Sequence, residues 1–140
     1  MKKSVFALAL IATLVLSIQS FAGNCDSQNL IGEWTNETEL ASAPHVVCGK
    51  AVKNEKTVFT FVKKAGKFSG SGVNVIVTTF QNQKSCSPMT KTLKYPFVQL
   101  YSDGSLGIMS DSGAQVASDC AVSSDRSKLK LGNHLYLRTK

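Results

Sequence analysis

The chain reads as an all-β protein, an antiparallel up-and-down barrel of about eight strands. Three observations predict this. Short runs rich in Val, Phe, Thr and Leu recur, divided by clusters of Gly, Asn, Ser and Asp. No stretch after residue 22 carries a helical period. That remainder is 118 residues long, the size of one domain with a core of its own. A ribbon of so many strands has two open edges unless it curls until its ends meet. About eight strands then give a barrel that side chains can fill or that holds one small ligand.

The first element is not part of that barrel. Met1-Lys2-Lys3 is a basic head, and Val5 to Ile18 is apolar except for Thr13 and Ser17. Ser20 and Ala22 put small residues at the −3 and −1 positions of a cleavage site. Residues 1–22 therefore read as a secretory signal, with 23–140 as a single barrel domain, periplasmic or secreted. The run is short for a bilayer span. Asn24 before Cys25 argues against a lipid-modified cysteine, where a small residue is expected.

Strands are predicted near 30–36, 46–53, 57–64, 72–80, 91–95, 97–102, 105–110, 114–122, 126–131 and 135–139. Phe59 and Phe61 share one side of their strand, Val58 and Val62 the other. Gly66, Gly70 and Gly72 mark a flexible connection. Val73, Val75 and Val77 alternate with Asn74 and Ile76, giving a buried face and a partly apolar outer one. Asp103-Gly104 suits a two-residue turn. Tyr101 would then lie opposite Leu106, with Phe97, Tyr101, Leu106 and Ile108 on one face. At Gly132-Asn133-His134 a three-residue loop pairs Leu131 with Leu135 and Leu129 with Leu137. That register places four leucines on one face, with Lys128, Lys130, Tyr136 and Arg138 on the other.

Cys25, Cys48, Cys86 and Cys120 all follow the signal, and an even count in an exported chain reads as two disulfides. Zinc sites usually bring two cysteines within a few residues, and the separations here are 23, 38 and 34. Three pairings remain open.

Without Lys2 and Lys3 the chain holds 14 basic residues against 9 acids, a net of +5. Nine of them are lysines between Lys50 and Lys94, where Glu55 is the single acid. This is either a solvated surface or a face for an acidic protein or envelope partner. The absence of arginine and of a patterned aromatic platform there argues against nucleic acid. His45 and His134 read as exposed loop residues, with no carboxylate spacing that implies a metal. No Gly-x-Ser-x-Gly or other nucleophile motif occurs, so neither an enzyme nor a cofactor is expected. Asn36-Glu37-Thr38 has the form of a glycosylation triplet.

Gly32-Glu33-Trp34 near the start, with Arg138 in Leu135-Tyr136-Leu137-Arg138-Thr139-Lys140 at the end, resembles the calycin group. That group gathers lipocalins, fatty-acid-binding proteins, avidins and small bacterial metalloprotease inhibitors. The resemblance implies an antiparallel barrel closed at one end by Trp34, with Arg138 packed over the indole and Gly32 beside it. It covers about ten residues. Avidins surround their ligand with several tryptophans and this chain has one, so biotin is not expected. Classical lipocalins are longer. The inhibitors insert a free N-terminal arm, and here only Gly23-Asn24 precedes Cys25. The implied function is a binding protein for a small, largely apolar ligand, lined by inward-facing Val75, Val77, Phe97 and Leu137. The alternative is an inhibitor or surface-interaction protein acting on a protein partner.

Overall fold

The computed structural model describes residues 21–140, and all its regular structure is β. The expected signal lies outside the described residues except for Phe21 and Ala22. The strands are β1 (Phe21–Asn24), β2 (Gly32–Leu40), β3 (Ala51–Lys64), β4 (Lys67–Phe80), β5 (Met89–Leu100), β6 (Leu106–Met109), β7 (Gln115–Ser118), β8 (Cys120–Ser123), β9 (Lys128–Leu131) and β10 (His134–Arg138). From β2 to β7 each strand pairs antiparallel with the next, as do β8, β9 and β10. β10 pairs in turn with β2. The ring is interrupted only between β7 and β8, which follow one another with Asp119 between them. The protein is thus an up-and-down antiparallel barrel, nearly closed.

β1 lies along β8 and runs across the expected cleavage point between Ala22 and Gly23. Asn24 Nδ2 donates to the Asp103 carbonyl at 2.9 Å, tying this strand to the β5–β6 turn. Gly104 has φ +83°, and a Cβ there would collide with Asn24. The Cys25–Cys120 disulfide fastens the same seam, and Cys48–Cys86 joins the loops that precede β3 and β5. Those are the two bridges, one pairing of the three that composition allowed.

Several expected boundaries shift. The predicted strands 46–53 and 57–64 prove to be parts of one strand, β3, which begins only at Ala51, while residues 45–49 form a tight turn. Gly70 and Gly72 are not a flexible connection. They lie inside β4 opposite Phe61 and Phe59, whose rings cover them. Aromatic side chains laid over glycines supply the packing that those positions lack. The break in the chain is the two-residue turn Ala65-Gly66, both with positive φ.

Both hairpins analysed from the sequence are displaced by one residue, in opposite senses. The first turns through Ser102-Asp103-Gly104, with Tyr101 N–H donating to the Ser105 carbonyl and Leu100 opposite Leu106. Asp103 stabilises this longer loop by accepting from Ser105 N and Oγ. The second turns through Gly132-Asn133 alone, with His134 opposite Leu131 and Tyr136 opposite Leu129. A slip of one residue exchanges the faces of a strand. Leu129, Leu131 and Tyr136 are therefore inside, whereas Leu135 and Leu137 lie outside with Lys130. Tyr101 covers Gly107 on the outer surface and does not join Leu106 and Ile108.

Candidate functional site: a cavity above an aromatic floor

One end of the barrel is solid. Trp34 and Phe61 are fully buried there, with Leu30, Leu106, Leu129 and Val122 around them. Trp34 Nε1 donates to the Leu30 carbonyl at 2.8 Å. The Arg138 guanidinium lies 4.4 Å from the indole centroid, and it donates to the carbonyls of Ile31 (2.9 Å) and Asn29 (2.7 Å). Gly32 has φ +134°, and a Cβ on it would meet the Lys140 carbonyl oxygen. Gly32, Trp34 and Arg138 thus come together at the closed end. The shorter second hairpin is what turns Arg138, together with Tyr136, to the inner face, where Arg138 pairs with Trp34.

The core thins toward the other end. Along β3 the inward positions run Phe61, Phe59, Thr57 and Glu55. Along β4 they run Gly70, Gly72, Asn74 and Ile76, so above the level where Phe61 and Phe59 cover the glycines the paired positions become the polar Thr57 and Asn74. Above Phe59 a cavity of about 460 Å³ opens. Its floor is aromatic: Phe59 lies 5.7 Å from Tyr95 and 5.5 Å from Tyr136, centroid to centroid. Its wall is polar on one side, where Asn74 Nδ2 donates to Glu55 Oε1 (2.6 Å) and Thr57 Oγ1 (2.8 Å). Leu93, Ile108 and Val116 provide an apolar side, Ser110 and His134 stand toward the mouth, and Ser118 lies lower, opposite Leu106. Burial raises the Tyr136 phenol to about 12, with the charges of Tyr95 and Glu55 adding to it. Burial also raises Tyr95, helped by Glu55 and Asp111. Both hydroxyls stay protonated at neutral pH.

The four residues expected to line a cavity do not line this one. Val75 and Val77 face outward, where they join Glu37, Glu39, Asn54 and Lys56 in a shallow surface groove. Phe97 is 53% exposed and Leu137 52%. For Phe97 the cause is a β-bulge. Tyr95 pairs with Gly72 and Val98 with Gly70, so Pro96-Phe97 carries one residue too many and the alternation breaks there. For Leu137 the cause is the shorter hairpin. For the valines the cause is parity: Val73, Val75 and Val77 share the outer face, while Asn74 between them looks inward in step with Gly70 and Gly72.

A second feature lies beyond the barrel mouth. β3 and β4, 14 residues each, outrun the short strands and carry the Cys48–Cys86 loops. His45 pairs with Gly49, and its Nδ1 accepts from the N–H groups of Val47 (3.3 Å) and Cys48 (3.2 Å). Its ring meets Phe80 edge-on. His45 is thus a turn-forming residue. The turn presents Val46 fully exposed and Val47 68% exposed.

Among the described residues no group of three or more His, Cys, Asp or Glu is placed to hold a metal ion. No helix there is long and apolar enough to cross a membrane. No protein-family model matches the chain, and neither a curated protein nor a solved structure does.

Proposed function

We propose that this chain is an exported, calycin-like binding barrel, without enzymatic activity, that holds a small molecule in the cavity above Phe59. The observation that carries this reading is the cavity itself. The core is complete around Trp34, so the emptier end is not a failure of packing. It is bounded by paired polar groups and aromatic faces, the usual composition of a small-molecule site. The wall is apolar on one side and hydrogen-bonding on the other. That suits a ligand with an apolar body and a polar edge better than a wholly apolar one. The two disulfides fit an oxidising compartment, in keeping with a periplasmic or secreted protein.

The test uses N-phenyl-1-naphthylamine, a neutral probe that fluoresces when it leaves water. Its emission should rise with the wild-type protein and not with Ile108→Trp, which fills the cavity. An equal rise with both proteins, or none with either, would refute the reading.

The exposed Val46-Val47 turn favours a second reading, an inhibitor or surface-interaction protein. Two branched side chains held out by a disulfide and a capped turn form a rigid apolar knob, and pre-organisation lowers the entropy lost on docking. Lys50 follows it in the chain, Lys84 lies two residues before Cys86, the disulfide partner of Cys48, and both would favour an acidic partner. A complex with an envelope protein that Val46→Asp abolishes, while Ile108→Trp leaves it intact, would select this reading over the first.

A further inference from the structure

We propose that the cavity takes an organic cation, a protonated or quaternary amine, and this rests on the reading of the cavity as a ligand site. The basis is a local reversal of charge. The chain is strongly basic, yet neither lysine nor arginine lines the cavity, and Glu55 is its one carboxylate. Among the described residues Glu55 forms no ion pair. Its Oε1 accepts from Asn74, which fixes the carboxylate against the wall, and among the described residues no donor reaches Oε2.

The floor has the complementary property. Phe59, Tyr95 and Tyr136 offer aromatic rings close together, and the faces of such rings attract cations through their quadrupoles, more strongly once water is excluded. The negative field is felt by the neighbouring phenols: Glu55 raises both tyrosines, and Asp111 adds to it at Tyr95. A neutral ligand would use the serines and Asn74 but leave a carboxylate facing it unneutralised. An anion would be repelled. A cation with methyl or methylene groups satisfies Oε2 and the rings at once. Two basic residues lie near on the inward register: Lys91 stands at the level of Glu55, the two flanking Ile76 from either side, and Lys53 lies one inward position further toward the mouth, opposite Thr78; neither lines the cavity. His134 at the rim is the remaining titratable group.

Choline and 3,3-dimethyl-1-butanol share one shape and differ by the charge, so they separate the two layers of the proposal. Each is titrated into wild type, Glu55→Gln and the outer-surface control Glu37→Gln, following the NMR signals of Phe59, Tyr95 and Tyr136. Choline should bind at least about tenfold more tightly than the alcohol to wild type and to Glu37→Gln. The advantage should shrink toward unity in Glu55→Gln and fall with added salt. Equal affinity for the two probes overturns the cation assignment and leaves the cavity reading standing. No shift from either probe, with the neutral naphthylamine still bound, does the same. Failure of all three probes removes the cavity reading as well. Should Glu55→Gln fold poorly, the salt dependence in wild type decides alone: a choline affinity indifferent to salt overturns the proposal.

Discussion

Replacing Arg138 by alanine should cost about 2–3 kcal/mol of stability while leaving the barrel folded. The guanidinium makes two charge-assisted hydrogen bonds, each worth about 1.5–3 kcal/mol to a charged donor. Its stacking on Trp34 adds about 1 kcal/mol. Two opposing effects reduce the sum. Burial lowers the Arg138 pKa, a sign that the charge is partly desolvated, and Nε is buried with no acceptor. The carbonyls of Asn29 and Ile31 are also only partly buried, so water can replace the lost donor. Urea denaturation followed by Trp34 emission reads the difference. With a slope of about 1–3 kcal/mol per molar, the midpoint should fall by about 1–2 M at unchanged slope. Arg138→Lys should recover less than half, because an ammonium cannot serve both carbonyls and stack as well. An alanine variant within about 0.5 kcal/mol of wild type, the range of ordinary surface changes, would refute the reasoning. So would a lysine variant equal to wild type.

Four further outcomes are expected. Removing Cys25–Cys120 should destabilise more than removing Cys48–Cys86, because sequence separations of 95 and 38 correspond to about 4.7 and about 3.9 kcal/mol of loop entropy, checked by denaturation of the paired serine variants. Tyr136 ionises at about 12 in the folded chain and near 10 when unfolded, so its contribution is whole below pH 10 and is lost as pH rises toward 12; Tyr136→Phe should flatten the stability profile in that window. Asp125 is held at about 2 by Ser123 Oγ and by the N–H and Oγ of Ser127, so the stability it lends is present above pH 4 and lost as pH falls toward 2; NMR titration should show that value, and Ser123→Ala should raise it. Gly32→Ala should cost about 1–3 kcal/mol by thermal denaturation, since it forces a side chain into a positive-φ position against the Lys140 carbonyl.

The architecture was legible because it depends on repeated, local signals. Val, Phe and Thr runs, the size of the domain and an even cysteine count need no knowledge of which face looks inward. The closed end was legible for another reason: Gly32 and Trp34 are fixed by two residues of spacing within one strand. The cavity lining was not legible, because it depends on parity, and parity depends on single residues. One residue more at Ser102-Asp103-Gly104, one fewer at Gly132-Asn133 and one extra at Pro96-Phe97 turned Leu137 and Phe97 outward. A usable signal was present in β3. Glu55, Thr57, Phe59 and Phe61 occupy alternate positions, and only a face that is floor at one end and wall at the other accommodates that order. Asn74 carries the same message, since an amide amid valines and an isoleucine needs a buried partner, and Thr57 and Glu55 provide it.

The most direct test is a map of where small molecules settle. A library of small aromatic and amine fragments, screened by NMR against the protein, should shift Phe59, Leu93, Tyr95, Ile108 and Tyr136 together, and Ile108→Trp should abolish the response. Fragments that gather at Val46-Val47 or in the Val75-Val77 groove, with the aromatic floor unmoved, would contradict the account.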